Sequence, residues 1–599
     1  MKYLAPLTDM QFVLHDVLGV EQYYQQIPLY ASVNRELIDQ VLEEAGKFAE
    51  QVLLPTNQIG DREGAVFHPE SHSVTLPSAF KEAFRGYVDG GWMGLCGPTE
   101  YGGQGLPESL GYVIKEMIES CNVAWGTYPL LSLGAVDAFL QHGSEQQKQV
   151  YIPKMLSGEW TGTMCLTEPH CGSDLGLLKT RAEPIGDDAY RITGTKIFIT
   201  AGDHDLSDNI VHLVLARLPD APPGTKGISM FVVPKFTISP AGVVGERNPL
   251  APGSIEHKMG LKVSATCLLN FDGAQGYLLG KPNRGLFAMF TMMNSARLGV
   301  AVQGLGLIET SYQNALSYAQ ERLQMRSLSG PKRPDKPADP LTVHPDIRRM
   351  LLTMRAIAEG GRVLCFYAGL LVDLSAQHPQ AEERQRAEEL LSFLVPISKA
   401  LLTELSVECT YHGMQILGGH GYIAEWGLEQ LARDARITTI YEGTTQIQAL
   451  DLLGRKILQT QGPGLKHFLA EIEQFASSQA EHAQAGGFAR QLSEHALAWR
   501  ALTQEVAVMT ARDPEEMGAA AVDYLFYAGY VTLAYLLARE VAALDRSSVG
   551  AEFRANKIAT VRFYFARILP RTLSHAAAIR AGAGSLMEVP ESLFGTAAA

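Results

Sequence analysis

What these 599 residues lack narrows the possibilities first. The seven cysteines (Cys96, Cys121, Cys165, Cys171, Cys267, Cys365, Cys409) are scattered, with no CxxC pair. That pattern fits reduced thiols in a cytosol-like compartment and offers neither a disulfide framework nor a zinc-ligand set, so no metal site is expected. Basic charge is not in excess: 50 Lys and Arg stand against 64 Asp and Glu, a formal net charge of −14. Non-specific nucleic-acid binding therefore has little electrostatic support. The start, MKYLAPLTDMQF, has no basic segment leading into a continuous apolar run. No secretory signal is visible, and a cytoplasmic location is the expectation. One apolar stretch, Gly518 to Ala538, raises the question of a membrane span. It contains Asp523 and four tyrosines, and Arg539 and Glu540 follow it, so a buried helix of a bundle is expected instead.

A chain of this length divides into several domains, and its 46% hydrophobic and 19% charged residues are those of an ordinary globular protein. Residues 1–38 form an arm with the aromatic anchors Tyr3, Phe12, Tyr23, Tyr24 and Tyr30. Residues 39–160 are mostly helical; Leu37, Val41, Ala45, Phe48 and Val52 recur at three- and four-residue spacing. From 161 to 283 the apolar runs are short, β-branched and bounded by Gly, Pro and Asp, the rhythm of an antiparallel β-domain. Helical periodicity returns over 284–458, with Leu298, Val302, Leu305, Ile308 and Tyr312 on one face, and continues over a further helical segment, 459–599. The expected fold is mainly α with a central antiparallel β-domain and a C-terminal α-helical extension.

Residues 414–448, MQILGGHGYIAEWGLEQLARDARITTIYEGTTQIQ, are the centre of the chemistry. A glycine-rich turn and a helix-like segment with Arg433 and Arg436 lead to Tyr441-Glu442-Gly443-Thr444-Thr445-Gln446. A carboxylate among apolar neighbours can act as a base with a pKa raised toward neutrality. Gly443 admits close approach of a ligand to the backbone, and the Thr and Gln side chains can bond its polar atoms. A second motif is Met164-Cys165-Leu166-Thr167-Glu168-Pro169-His170-Cys171-Gly172-Ser173-Asp174. Its Gly-Ser-Asp turn either binds a pyrophosphate or a pantetheine amide, or simply connects a helix to a strand. In Thr195-Lys196-Ile197-Phe198-Ile199-Thr200, strand alternation places Phe198 and Thr200 on one face.

The string YEGTTQIQ with GGHGY upstream resembles the catalytic-base segment of the acyl-CoA dehydrogenases. Residues 164–174 resemble that family's flavin signature LTEPxAGSD, with Cys171 where alanine is usual. Arg297 with Gly299, followed 25 residues on by Arg322 in YAQER, resembles its RxGxA and YAxxR pair. The resemblance covers about residues 40–455. It implies an α domain, a β domain and a four-helix α domain, with FAD as cofactor and Glu442 removing a proton next to a thioester carbonyl. Met164, Leu166, Thr167, Ser173, Phe198, Thr200, Thr444 and Gln446 would bind FAD. Arg322, Gln415 and Gly419 would complete the FAD site of a neighbouring subunit, implying a homodimer or a dimer of dimers. Ser173, Asn294, Arg297, Tyr441 and Gly443 would meet the acyl-CoA substrate. An aromatic Tyr441 beside the reacting carbons implies straight chains over β-branched ones, and an electron-transfer flavoprotein is the implied electron acceptor. Other family members carry the base just before the first arginine; here that stretch is Ser295-Ala296, which leaves Glu442.

The arm and the extension resemble roughly 600-residue bacterial members of the family. These act on medium- to long-chain acyl-CoA or on 3-methylmercaptopropionyl-CoA. An acyl-CoA oxidase would share every motif. A DNA-associated flavoprotein of the same fold would need a basic C-terminal face, which the nearly balanced charges of residues 456–599 do not provide.

Overall fold

The computed structural model describes residues 1–239 and 241–595. The arm is itself helical: Leu7–Gln11 is α-helix, Phe12–Leu18 a π-helix and Val20–Tyr24 α-helix again. Tyr3, Phe12, Tyr24 and Tyr30 are buried, whereas Tyr23 is exposed. The next helix starts at Asn34, whose side chain accepts a bond from Leu37 N, a normal N-cap. Its apolar stripe differs from the expected one. The offset is already present at Ile38 and Leu42 in the helix Arg35–Phe48, and a π turn, Ala49–Leu53, joins that helix to Leu54–Glu63. Ile38, Leu42, Ala45, Ala49 and Leu53 are the buried face, and Val52 is left in solvent.

Helix α1 (Glu108–His142) is kinked at Asn122, where φ is −160° and ψ is 91°. Asn122 caps the second half by accepting from Trp125 N at 3.0 Å, and it donates to Thr56 at 2.8 Å. A seven-stranded sheet follows, made of β1 (Trp160–Cys165), β2 (Arg181–Gly186), β3 (Ala189–Thr200), β4 (Asn209–Arg217), β5 (Ile228–Pro234), β6 (Leu250–Ile255) and β7 (Thr266–Leu279). The order is β6-β7-β3-β2-β4-β1, with β5 pairing both β7 and β4. Most pairs are antiparallel as expected, but β1 runs parallel to β4 from Trp160↔Asn209 to Cys165↔Val214, and β2 touches β4 in parallel at Arg181↔Arg217. Parallel neighbours need a long crossover, and alternation within a strand carries no information on its partner's direction.

Helices α2 (Gly285–Glu321), α3 (Pro345–Gln377) and α4 (Ala381–Leu417) pack on one another, and α1 packs on α2 and α3. In the C-terminal extension, α5 (Glu515–Ala543) contains the long apolar stretch and packs against α3 and the short helix Thr445–Leu450. It is long and apolar enough to cross a membrane, yet 83% of its apolar window is buried inside the fold.

Where these parts meet, charge is buried. Arg362 of α3 reaches Asp9 of the arm at 2.5 Å, Glu116 of α1 at 2.6 Å and Glu309 of α2 at 2.8 Å. Lys557 of the extension reaches Asp9 at 2.6 Å, Glu540 of α5 at 2.7 Å and Glu359 of α3 at 3.3 Å. Arg355 also pairs with Glu359 at 2.7 Å. Carboxyls outnumber cations here. Burial pushes Glu116 up to about 7 and Glu540 up to about 8, only partly opposed by Arg362 and Lys557 respectively. Burial acts on Asp9 too, but Lys557 and Arg362 outweigh it and hold that carboxyl below its ordinary value.

Glu116 and Glu540 are thus protonated in the fold at pH values where the unfolded chain would ionise them. Their contribution to stability is present at acid pH and lost as pH rises from the ordinary carboxyl range through about 7 to 8. Lys557→Met strands Asp9 and Glu359 and should cost ~3–5 kcal/mol, seen as a large drop in melting temperature. Glu540→Gln removes only a group that is already neutral near pH 7. It should be mild at pH 6 and should flatten the fall in melting temperature between pH 6 and 8.5. Equal damage from the two variants would contradict this charge assignment.

Candidate active site

Glu442 and Gly443 sit in a tight turn with left-handed backbone, φ +55° and +91° respectively. Three contacts hold that turn. Gln448 Nε2 donates to the Glu442 carbonyl at 2.8 Å, Lys399 Nζ of α4 donates to the Gly443 carbonyl at 2.7 Å, and Thr445 Oγ1 donates to Glu404, also on α4. Thr444 caps the helix that follows, accepting from Ile447 N. A non-glycine residue at positive φ is strained, and these anchors are what keep Glu442 in place. Its own N–H finds no acceptor among the described residues.

The electrostatics of Glu442 are a balance. Burial raises its pKa above the usual carboxylate value, and Arg297 and then Lys399 pull it back. Arg297 is 5% exposed and pairs with Asp451 at 3.2 Å. Its guanidinium pairs with Asp451 inside the fold and lowers the Glu442 pKa. Burial lowers Lys399 to about 7, against the opposing field of Glu442. The Tyr441 hydroxyl donates to Gln303 of α2 at 2.5 Å, and Gln303 reaches Glu119 of α1 at 3.5 Å. Asn294 lies exposed one turn before Arg297, and Gln446 is exposed beside Glu442.

The second motif is built around Glu168. Its carboxylate accepts from Lys179 N at 2.7 Å, Thr180 N at 3.0 Å, Thr180 Oγ1 at 2.6 Å and Lys196 Nζ at 2.9 Å. Lys196 also donates to the Leu166 carbonyl at 2.9 Å. The clamp leaves Met164, Leu166 and Thr167 half-buried at the end of β1 and Ser173 exposed in its turn. His170 and Cys171 bring further metal-ligating atoms near Glu168, but that carboxylate is already saturated. In β3 the expected alternation is broken. A bulge against β7 puts both Lys196 and Ile199 in the core and leaves Phe198 at φ +56° and 59% exposed, with Thr200 half-buried. An exposed, strained aromatic beside an open turn is a place for a flat ligand to stack.

Arg322, Gln415 and Gly419 are all exposed and are not brought to Glu442. Arg322 follows α2 by one residue, 25 residues beyond Arg297, roughly 37 Å along a helix at ~1.5 Å per residue. That end of α2 meets the glycine-rich turn through Tyr318, whose hydroxyl bonds His420 at 2.8 Å and whose ring packs edge-on against Trp426. The basic pair near it is structural. Arg433 is tied to Asp61 and Glu429 at 2.6–2.9 Å, and Arg436 bonds Thr439. Lys399, Gln303, Asp451 and Glu404 were not found from the sequence. Lys399 had a signal there: it is the only charge in Leu394–Leu402.

Comparison with known proteins agrees with this geometry. Residues 36–159, 163–274 and 283–458 match the N-terminal, middle and C-terminal domains of acyl-CoA dehydrogenases, and residues 468–590 match an acetyl-CoA dehydrogenase C-terminal-like domain. The chain is 42% identical to a 3-methylmercaptopropionyl-CoA dehydrogenase of Ruegeria pomeroyi, covering 95% of this chain and 96% of the relative. It is 35% identical to a broad-specificity linear acyl-CoA dehydrogenase of Mycobacterium tuberculosis over 99% of this chain and 100% of the relative. Among solved structures, an acyl-CoA dehydrogenase of Bacillus anthracis complexed with FAD has the same fold, with TM-score 0.74 at 20% identity, covering 93% of this chain and 90% of that one.

Lys399→Met removes a positive field and a bond to the base turn together. With its lowering influence gone, Glu442 should hold its proton to higher pH. Turnover that depends on Glu442 should fall at least about 10-fold near pH 6 and recover in part toward pH 8.5. An acidic limb of the pH–rate profile that stays where it is in the wild type would disprove the coupling.

Proposed function

The chain belongs to the acyl-CoA dehydrogenase family, and from that premise we propose that it oxidises the Cα–Cβ bond of a straight-chain acyl-CoA thioester to a trans-2-enoyl-CoA, with Glu442 as the base. The observation that carries this reading is the half-buried Glu442, its carboxyl pKa raised by desolvation, held on a strained and anchored turn whose N–H is unused. A base of this kind removes a carbon-bound α-proton near neutral pH. The free N–H of Glu442 is suited to the thioester oxygen, where negative charge develops as that proton leaves. A groove at the start of α2 with Lys281, Arg284 and exposed Phe287 offers cationic and aromatic contacts for the CoA portion.

The family's cofactor is FAD, which when bound supplies the acceptor for the β-hydride. The residues present fit it. Met164, Leu166, Thr167, Ser173, Phe198 and Thr200 form an open face with a projecting aromatic ring, and Thr444 and Gln446 stand beside the base. Arg322 follows the far end of α2, roughly 37 Å along that helix from Arg297 at ~1.5 Å per residue, and Gln415 and Gly419 lie in the last turn of α4 and just after it. Exposed apolar side chains follow closely in the chain, among them Leu328 at 93% and Tyr422 at 84%. We therefore place them at a second copy's cofactor, in a homodimer or a dimer of dimers. An electron-transfer flavoprotein is the proposed electron acceptor, by family likeness. The fixed Tyr441 ring favours straight chains by crowding a β-methyl group. The first relative above adds a second reading, the linear thioether 3-methylmercaptopropionyl-CoA.

Glu442→Gln should keep FAD and thioester binding while turnover falls by several orders of magnitude; a loss below about 10-fold, ~1.4 kcal/mol, would mean that the base is another residue. Arg322→Ala should weaken FAD retention and assembly together without unfolding the chain. A monomer that keeps stoichiometric FAD at nanomolar concentration would refute the shared site.

A further inference from the structure

A cavity of about 110 Å³ lies between the two halves of kinked α1, the segment from Tyr87 to Pro98 and Ser295 of α2. Its lining is partly aliphatic but includes Glu108, Tyr112, Lys115, Glu119, Asp137 and Ser295. Ser295 faces Tyr112 and Asp137 across the cavity. Glu119 Oε2 is fully buried and has no hydrogen-bond partner, while its Oε1 meets Gln303, the side chain that holds Tyr441. Lys115 lies deep in the fold yet keeps accessible surface, which faces this cavity. Its ammonium has no ion pair or hydrogen bond among the described residues, and it lies against Gly299 of α2, two positions beyond Arg297. Through Glu119 and Gln303 the lining of the chamber is linked to Tyr441, the residue before Glu442.

An alkyl tail in this space would strand the ammonium and the free carboxyl oxygen, a costly burial. An anionic tail would meet three carboxyls. Burial pushes Glu108 and Glu119 up to about 8 and Asp137 up to about 6, and it lowers Lys115, so two of the three carboxyls are largely neutral near pH 7. Its volume is roughly four times the ~30 Å³ that one water occupies in the liquid.

We propose that this chamber receives the end of the acyl chain and selects short tails that carry a neutral oxygen acceptor, an ether, hydroxyl or amide, to which Lys115 donates. The inference rests on the acyl-CoA dehydrogenase reading above and names the substrate class of that site. Residues Lys115 and Glu119 are then specificity determinants, set apart from the base.

The test compares hexanoyl-CoA with 4-methoxybutyryl-CoA, which differ only by oxygen in place of one methylene, on flavin-loaded wild type with an artificial electron acceptor. The ether should exceed the alkane in kcat/KM by about 10-fold or more, and Lys115→Met should reverse the order. Affinities of both thioesters for the Glu442→Gln protein, read from the flavin absorbance, should show the same preference; this arm decides the matter if Lys115→Met fails to fold. Equal kcat/KM on wild type, or an ether preference kept by a folded Lys115→Met, overturns the inference and leaves the reaction standing. Turnover of neither thioester overturns the reaction and the inference with it.

Discussion

The charges buried around Arg362 and Lys557 are the constraint on which the arrangement of the chain depends. Asp9 touches both cations, so a residue of the arm joins α3 to the extension. Glu116 and Glu309 bring α1 and α2 to the same guanidinium. Removing water from so many charges is expensive, and such a cluster adds less net stability than well-packed apolar residues would. What it supplies is register. An apolar interface tolerates sliding by a turn, whereas a guanidinium that must satisfy three carboxyls from three elements does not. The alignment of α1 against α2 set in this way is also the alignment that forms the cavity and brings Gln303 to Tyr441.

At the base the same currency of burial and field is used differently. Glu442 is raised by burial and lowered by Arg297 and Lys399. Arg297 is itself partly neutralised by Asp451, so the field on Glu442 is weaker than two nearby cations would give. Without Asp451 the field lowering the Glu442 pKa would be stronger, and without the two cations burial would raise it unopposed.

How much of this the sequence revealed follows from contiguity. Glu442, Thr444, Gln446 and the loop from Met164 to Ser173 lie within short strings, so a resemblance carried by contiguous motifs could single them out as candidates. The order α, β, α and extension was legible for the same reason, since hydrophobic period is local. Lys399, Gln303, Asp451 and Glu119 come from separate helices and meet only in the fold. Where the backbone departed from its period, local pattern misled. The apolar stripe before Ala49 is offset by one residue, Phe198 stands at positive φ beside a bulge, and β1 found a parallel partner 49 residues away by register.

The C-terminal extension then has a physical role that the smaller catalytic core lacks. Its helix α5 packs against the short helix that follows the base turn and against α4, where Gly529 lies so close to Leu401 that a Cβ would come within 2.8 Å. Arg571 adds a two-pronged pair to Glu408 of α4 at 2.6–2.8 Å. Lys399 and Glu404, the two side chains by which α4 grips the base turn, lie in the segment between and beside these contacts. α4 is thus fastened on its back by the extension and on its front to Gly443 and Thr445. Since Glu442 is held in a conformation that a free loop would abandon, fixing the helix behind it fixes the base. The extension therefore supports the turn that carries Glu442 through α4, and through the short helix Thr445–Leu450 that follows that turn.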